Sequence, residues 1–217
     1  YDTNGYNVVA TPCGVIAPET SGWFKNEING VEDLEGLNMR FFGLGAKVME
    51  KVGVSTSLLS AGDIFPALER GAIDATEFSM PKIDARLGFH KIAKFNYFPG
   101  WHQPSTLFEL LINKDVYEDL SDVAKKQIEV ACLANITTNL AEGEATNYAA
   151  MVDNVENNGV TLKQWSPEML ALFEEKWNEV AAELADGDPF FQKVWADMQE
   201  YRAGYKVWSN NIYLPRN

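Results

Sequence analysis

"LNMRFFGLGAKVMEKVG", residues 37–53, decides how the chain is read. "NMRFF" (38–42) is a short apolar run of strand length, interrupted by one guanidinium, Arg40. Gly43-Leu44-Gly45 then turns into a helical pattern over 44–52, and Gly53 is suited to the position just past that helix. The same alternation continues outward. "STSLL" (55–59) reads as a strand, "DIFPALER" (63–70) as a helix closed by Gly71, and "AIDATEF" (72–78) as the next strand. "IAKFNYF" (92–98) and "TLFELLIN" (106–113) are two more strands. Ahead of the opening stretch, "YNVVAT" (6–11) is a strand candidate, and "SGWFKNEI" and "VEDLEG" read as short helical turns. Strands separated by helices of about ten residues predict a βαβ pattern and a mostly parallel sheet over residues 1–115.

Residues 116–217 change character. Ser121 can cap a helix running to about Asn157, ended by Asn158-Gly159. At about 1.5 Å per residue it would reach roughly 50 Å, longer than a small domain is wide. Ser166-Pro167 opens a second helix and Asp188-Pro189 a third, running to about Val207, because Ser and Asp cap while proline suits the first helical position. This part is expected to be all helix.

The 31 acidic residues against 18 basic ones give a formal net charge of −13, which opposes non-specific binding to nucleic acid or anionic lipid. No apolar run approaches the roughly 18 residues of a membrane span. No secretory signal is visible and the chain starts at Tyr1, so a processed chain or a piece of a longer one is expected. Cys13 and Cys132 can pair, but with no metal-ligand spacing they are read as two separate buried thiols.

In a parallel sheet, ligands collect at the carboxyl ends of strands. Arg40 lies at such an end, before a helix N-terminus, where its planar fork can hold a carboxylate. The plainer alternative is an edge arginine paired with one of the many acids. Gly43-x-Gly45 lacks the third glycine of a dinucleotide fingerprint and the lysine-serine of a phosphate loop. Glu77 falls near the end of its strand, Glu109 sits inside an apolar run, and Glu19 lies in a loop before "SGWF". Three hard oxygen donors from separate segments can hold Na⁺ or Ca²⁺; alternatively each is simply solvated. His90 and His102 are the only histidines, and neither G-x-S-x-G nor H-E-x-x-H occurs. Asp74 and Glu77 are a conceivable acid–base pair with no motif behind them.

Two segments carry a resemblance: "GVEDLEGLNMRFFGLGAKVMEKVGVSTSLLSAGDIFPALERGAIDATEFSMP" and "LGFHKIAKFNYFPGWHQPSTLFELLINKDVYEDL". Together they resemble the solute-binding proteins of TRAP transporters, the DctP family, in the branch that takes 2-oxo acids, lactate or related carboxylates. The resemblance implies a periplasmic binding protein-like α/β fold with two mixed domains around a cleft and long C-terminal helices. Residues 1–115 would be mainly the second, ligand-binding domain, and 116–217 the long spanning helix with a helical C-terminal segment. The first strands of domain one are expected to lie outside this sequence. The resemblance makes Arg40 the carboxylate clamp. It places Glu19, Glu77, the Phe78 carbonyl and Glu109 on a bridging Ca²⁺ or Na⁺, with glutamine usual at position 19 and tryptophan at 78. Glu19, Trp23, Phe78 and Trp101 join Arg40 in the ligand-binding set. It further implies a periplasmic location, delivery of the carboxylate to a membrane permease, and a homodimer through the Asp188–Val207 helix. A ligand-sensing or scaffold module, and an enzyme using Glu77 or Asp74 as a base, remain the alternatives.

Overall fold

The computed structural model describes residues 1–214. In chain order, β1 (Val8–Ile16) leads to β2 (Gly22–Phe24), β3 (Asn38–Arg40), α1 (Leu44–Lys51), β4 (Ser55–Ser57), α2 (Ala61–Arg70) and β5 (Ala75–Thr76). Then come α3 (Pro81–Leu87), β6 (Phe95–Phe98), β7 (Thr106–Asn113), α4 (Lys114–Asp119), α5 (Asp122–Glu156), β8 (Thr161–Gln164), α6 (Pro167–Gly187) and α7 (Pro189–Ile212).

Six strands form one mixed sheet in the order β4-β3-β5-β2-β6-β8. Five point the same way; β2 alone runs against both its neighbours, β5 and β6. The expected mostly parallel sheet is therefore corrected at its centre. β2 is entered directly from the strand before it rather than through a crossover helix, so nothing forces it parallel. The helical turn expected over "SGWFKNEI" is this strand. Successive strand side chains face opposite sides, and Trp23 enters one apolar cluster with Ile64, Leu68 and Phe89. Phe24 enters the other, with Met39, Met49, Tyr97, Trp165 and Phe173. A strand covered on both faces carries consecutive apolar residues and loses the alternation that would have marked it.

β8 is a second departure, because the C-terminal part is not all helix. "TLKQ" has no apolar period; it becomes a strand by pairing parallel with β6. The helices that flank it begin as expected. Ser121 Oγ accepts from Ala124 N, Ser166 Oγ from Met169 N, and Asp188 Oδ1 from Phe190 N.

β1 and β7 form a separate antiparallel ribbon that lies on α5. The reading of Cys13 and Cys132 as free thiols is corrected: they form a disulfide that ties this ribbon to the spine helix, with Cα atoms 4.1 Å apart. Asn135 Nδ2 adds a hydrogen bond to the Cys13 carbonyl. Residues 119 apart in sequence give no spacing signal, so only the fold brings them together. Farther along α5, Gly143 lets the helix touch the chain leaving β1, where an added Cβ would stand 3.0 Å from Ala17 Cβ. The 35 residues of α5 make a rod roughly 50 Å long.

Because the disulfide closes so long a loop, removing it is expected to cost about 4–5 kcal/mol. Urea unfolding of Cys13→Ser, or of the wild type with a reductant, should show a lower midpoint; an unchanged midpoint would refute the structural role.

Candidate functional site

Strand direction decides which side chains meet. Arg40 ends β3, and Glu77 and Phe78 follow β5, so both lie at the carboxyl edge of the sheet. β6 runs the same way and delivers His102 and Gln103 to that edge. Reversed β2 contributes Glu19, three residues ahead of its start at Gly22. Asp74 precedes β5 and lies at the opposite edge, so Asp74 and Glu77 cannot form one acid–base pair.

Arg40 and Glu77 are both buried and form an ion pair. Arg40 Nη1 donates to Glu77 Oε1 at 2.6 Å and to the Glu77 carbonyl at 2.7 Å, and Nε donates to the Leu59 carbonyl at 3.2 Å. Glu77 Oε1 also accepts from Phe42 N at 2.6 Å. The Phe78 ring lies 5.3 Å from the guanidinium carbon, a cation–π distance. Arg40 Nη2 has no partner among the described residues.

Glu77, Glu19 and His102 form the second half of the site. One ligating atom from each lies within 4.8 Å of the others. His102 Nε2 is 3.8 Å from Glu19 Oε2 and from Glu77 Oε2. Neither ring nitrogen of His102 has a hydrogen-bond partner, although both are buried. Glu19 is held by the turn after β6. Its amide donates to the Gln103 carbonyl, its Oε1 accepts from Gln103 Nε2, and its own carbonyl lies against Gly100, where a Cβ would collide with it.

Burial raises the Glu19 carboxyl above its ordinary range, only partly opposed by His102 and Arg40. Burial works against a charged His102, but the Glu19 and Glu77 carboxylates 3.8 Å away outweigh it and raise the imidazole. Behind the cluster, Asp84 is pushed up to about 8, chiefly by burial and further by the charges of Glu19 and Glu77, although it accepts a hydrogen bond from Trp23 Nε1 at 2.9 Å.

Glu19 Oε2 and Glu77 Oε2, from two buried carboxylates, both face His102 Nε2 at 3.8 Å. That donor set fits a hard cation, and the orphaned His102 nitrogen between them stands where positive charge is wanted.

Of the residues expected in the site, Arg40, Glu77, Phe78 and Glu19 are brought together. Glu109 is not: it is exposed in the middle of β7, accepts from Tyr1 Oη at 2.8 Å and lies outside the cluster. Its apolar flanks belong to a ribbon face, not to a cleft. Trp23 is fully enclosed and has no surface to offer a ligand; it supports Asp84 instead. Trp101 is half-buried, stacks on Phe173 with ring centres 4.7 Å apart, and leans on Phe41. His102 and Gln103 were overlooked. A lone histidine one turn beyond an apolar strand has no pattern; the usable signal was that its strand ends on the ligand edge.

Asp84 generates a pH effect. Unfolded, it ionises in the ordinary carboxylate range near 3.8, whereas folded it stays neutral to about 8. The native state therefore binds more protons between those values, and stability falls as pH rises through them. Asn at position 84 keeps an acceptor for Trp23. In metal-free protein, Asp84→Asn should lose less melting temperature between pH 5 and pH 8 than the wild type; an identical loss would show that Asp84 is ionised in the fold.

The family description of bacterial extracellular solute-binding protein, family 7 (DctP), matches residues 2–188. A monocarboxylate 2-oxoacid-binding periplasmic protein of Nostoc sp. PCC 7120 is 33% identical over 204 residues, which cover 94% of this chain and 56% of that protein. A TRAP transporter solute-binding protein from Bordetella bronchiseptica, with copurified calcium and picolinate, superposes with a TM-score of 0.88 at 33% identity, covering 96% of this chain and 62% of that one. One from Colwellia psychrerythraea, with calcium and pyruvate, gives 0.88 at 30% identity, covering 96% and 64%. One from Pseudoalteromonas atlantica, with sodium and pyruvate, gives 0.89 at 28% identity, covering 97% and 64%. The chain thus spans less than two thirds of the length of each of these relatives. With the family match covering most of the chain and the same α/β architecture beneath it, this chain belongs to the DctP family of bacterial extracellular solute-binding proteins.

Proposed function

We propose that the chain is the ligand-holding part of a TRAP transporter's periplasmic solute receptor, which captures a small carboxylate, in particular a 2-oxo acid, for delivery to a membrane permease. The observation that carries this reading is the placing of a buried guanidinium beside two buried carboxylates at one sheet edge. Arg40 suits the ligand's carboxylate. Glu19 and Glu77 would hold a Ca²⁺ or Na⁺, as the calcium- and sodium-containing relatives suggest. The ion would supply positive charge that a carboxyl and a 2-oxo oxygen can share. Two protein carboxylates favour the divalent ion slightly. The pyruvate, picolinate and 2-oxoacid relatives support the ligand class. The disulfide suits an oxidising compartment such as the periplasm, and no helix among the described residues is long and apolar enough to cross a membrane.

Capture rather than turnover is the role the residues support. Arg40 orients the carboxylate, Phe78 shields one side of the guanidinium, and His102 can leave the space between Glu19 and Glu77 when a cation takes over its charge. The family is one of transport receptors. In the two-domain arrangement we adopt, the six-stranded sheet and its helices are the second domain. The β1–β7 ribbon would belong to the first, and α5 would run along both.

Partner assembly follows from α7. Phe191, Met198, Tyr205 and Ile212 repeat every seven residues, as do Val194, Tyr201 and Trp208 three positions later. This is the seam of a coiled coil. Tyr201, Trp208 and Ile212 are 70%, 57% and 48% exposed, which supports a homodimer through this helix.

Removing one partner of a buried pair strands the other at a cost of about 3–5 kcal/mol, so Arg40→Lys is a more informative variant than Arg40→Ala. It keeps the charge and loses the fork. In calcium buffer, Arg40→Lys should weaken pyruvate binding, followed by tryptophan fluorescence, by roughly 2 kcal/mol, more than tenfold. Glu19→Gln should lower calcium affinity in calorimetry. Wild-type affinities in both variants would refute the site. Met198→Lys with Tyr205→Lys should give a monomer in analytical ultracentrifugation where the wild type is a dimer; a wild-type monomer would end the dimer proposal.

A further inference from the structure

Asparagine is a labile residue, most of all before glycine, whose amide has no Cβ beside it to keep the nitrogen away from the asparagine side chain. The chain holds three such pairs, Asn4-Gly5, Asn29-Gly30 and Asn158-Gly159. Attack needs a free glycine N–H, a side-chain amide able to leave, and access to water. The Gly5 amide is engaged, donating to the Asp2 carbonyl at 3.0 Å. Asn158 is half-buried, and its Nδ2 donates at 3.1 Å to both the Asp153 carbonyl and Asp153 Oδ2. At Asn29-Gly30 neither restraint exists. Asn29 is exposed, the Gly30 amide donates to no acceptor among the described residues, and Asn29 Nδ2 makes one long contact, 3.4 Å to Asp33 Oδ2. The surrounding segment is anchored. Tyr97 Oη accepts from the Ile28 amide at 2.7 Å and donates to the Ile28 carbonyl at 3.0 Å, while Asp33 Oδ2 accepts from Asn29 N at 2.7 Å.

We propose that Asn29 is a self-modification site, at which the Gly30 nitrogen displaces ammonia from the Asn29 side chain. Solvent base takes the Gly30 amide proton, the nitrogen bonds to Asn29 Cγ, the Cγ–Nδ2 bond breaks, and Nδ2 takes up a proton and leaves as ammonia. Water then opens the imide ring at one carbonyl or the other, giving an aspartate or an isoaspartyl linkage at position 29. Either product sets a carboxylate where an amide had faced Asp33, and like charges at that range repel. The isoaspartyl product also adds a backbone carbon between the Ile28 anchor and the helical turn over Val31–Leu34.

The test is timed incubation of the folded protein in oxygen-18 water at mildly alkaline pH, followed by peptide mass spectrometry, in which the heavy oxygen marks each converted asparagine. Asn29 should convert first. Freeing the Gly5 amide gives up one hydrogen bond and releasing Asn158 gives up two, so Asn4 should lag by roughly fivefold and Asn158 by more than about tenfold. In urea, where those bonds are gone, the three rates should draw together. Gly30→Ala suits the extended backbone at that position (φ −163°), and the closest atom its Cβ would meet is Glu32 Oε2, the end of a flexible side chain. That variant should slow Asn29 severalfold and leave Asn4 and Asn158 unchanged. Asn4 or Asn158 converting first, the same ranking persisting in urea, or an unchanged Asn29 rate in Gly30→Ala would overturn the proposal.

Discussion

A guanidinium and a carboxylate taken out of water are costly unless nearly every hydrogen-bonding group on both is satisfied. Arg40 and Glu77 meet that condition only because β3 and β5 are parallel neighbours. The Glu77 amide donates to the Arg40 carbonyl, the Glu77 carbonyl and Oε1 both accept from Arg40, and the Phe42 amide completes Oε1. Two polar atoms escape this mutual saturation: Arg40 Nη2, and Glu77 Oε2, which has no close donor. They point to the two halves of the chemistry, one toward an anion and one toward a cation. The ion pair is thus both the lock that holds two strand ends in register and the base of the proposed ligand site.

The reversal of β2 matters as much as the pair. A wholly parallel sheet would present only residues that follow strands at its carboxyl edge. One antiparallel strand adds a residue that precedes a strand, Glu19, and places it opposite the turn after β6. The same strand buries Trp23 on one face and Phe24 on the other, so it also joins the two apolar clusters. Site and core therefore share a single topological feature, and the turn at Gly100 can press directly on the Glu19 backbone.

Three carboxyl groups close to one another in a low-dielectric interior cannot all remain charged without compensation. The protein resolves this in three ways. Arg40 neutralises Glu77. Asp84, buried behind the cluster, has its carboxyl pushed up to about 8, chiefly by burial. Glu19 and the free oxygen of Glu77 share His102, whose imidazole is raised by them. In the proposed receptor a cation bound by Glu19 and Glu77 would supply the positive charge that these two acids otherwise draw onto His102.

Much of this was legible in the sequence. The 3.6-residue patterns, the glycines after α1 and α2, and the Ser and Asp caps of α5, α6 and α7 located those helices, because capping and periodicity act within a few residues of chain. Arg40 and Glu77 could be singled out as charges at the ends of apolar strands. What the sequence could not show depended on pairings between distant residues. β2 is apolar on both faces and so has no alternation. β8 is polar and exists only through β6. Cys13 meets Cys132 across 119 residues, and Glu109, apparently in an apolar setting, lies on an exposed ribbon. The sequence by itself determined local conformation and which residues carried unusual charge. Only the tertiary structure decided strand direction, and with it which charges share one edge, because direction is set by chain entry and long-range pairing rather than by any local preference.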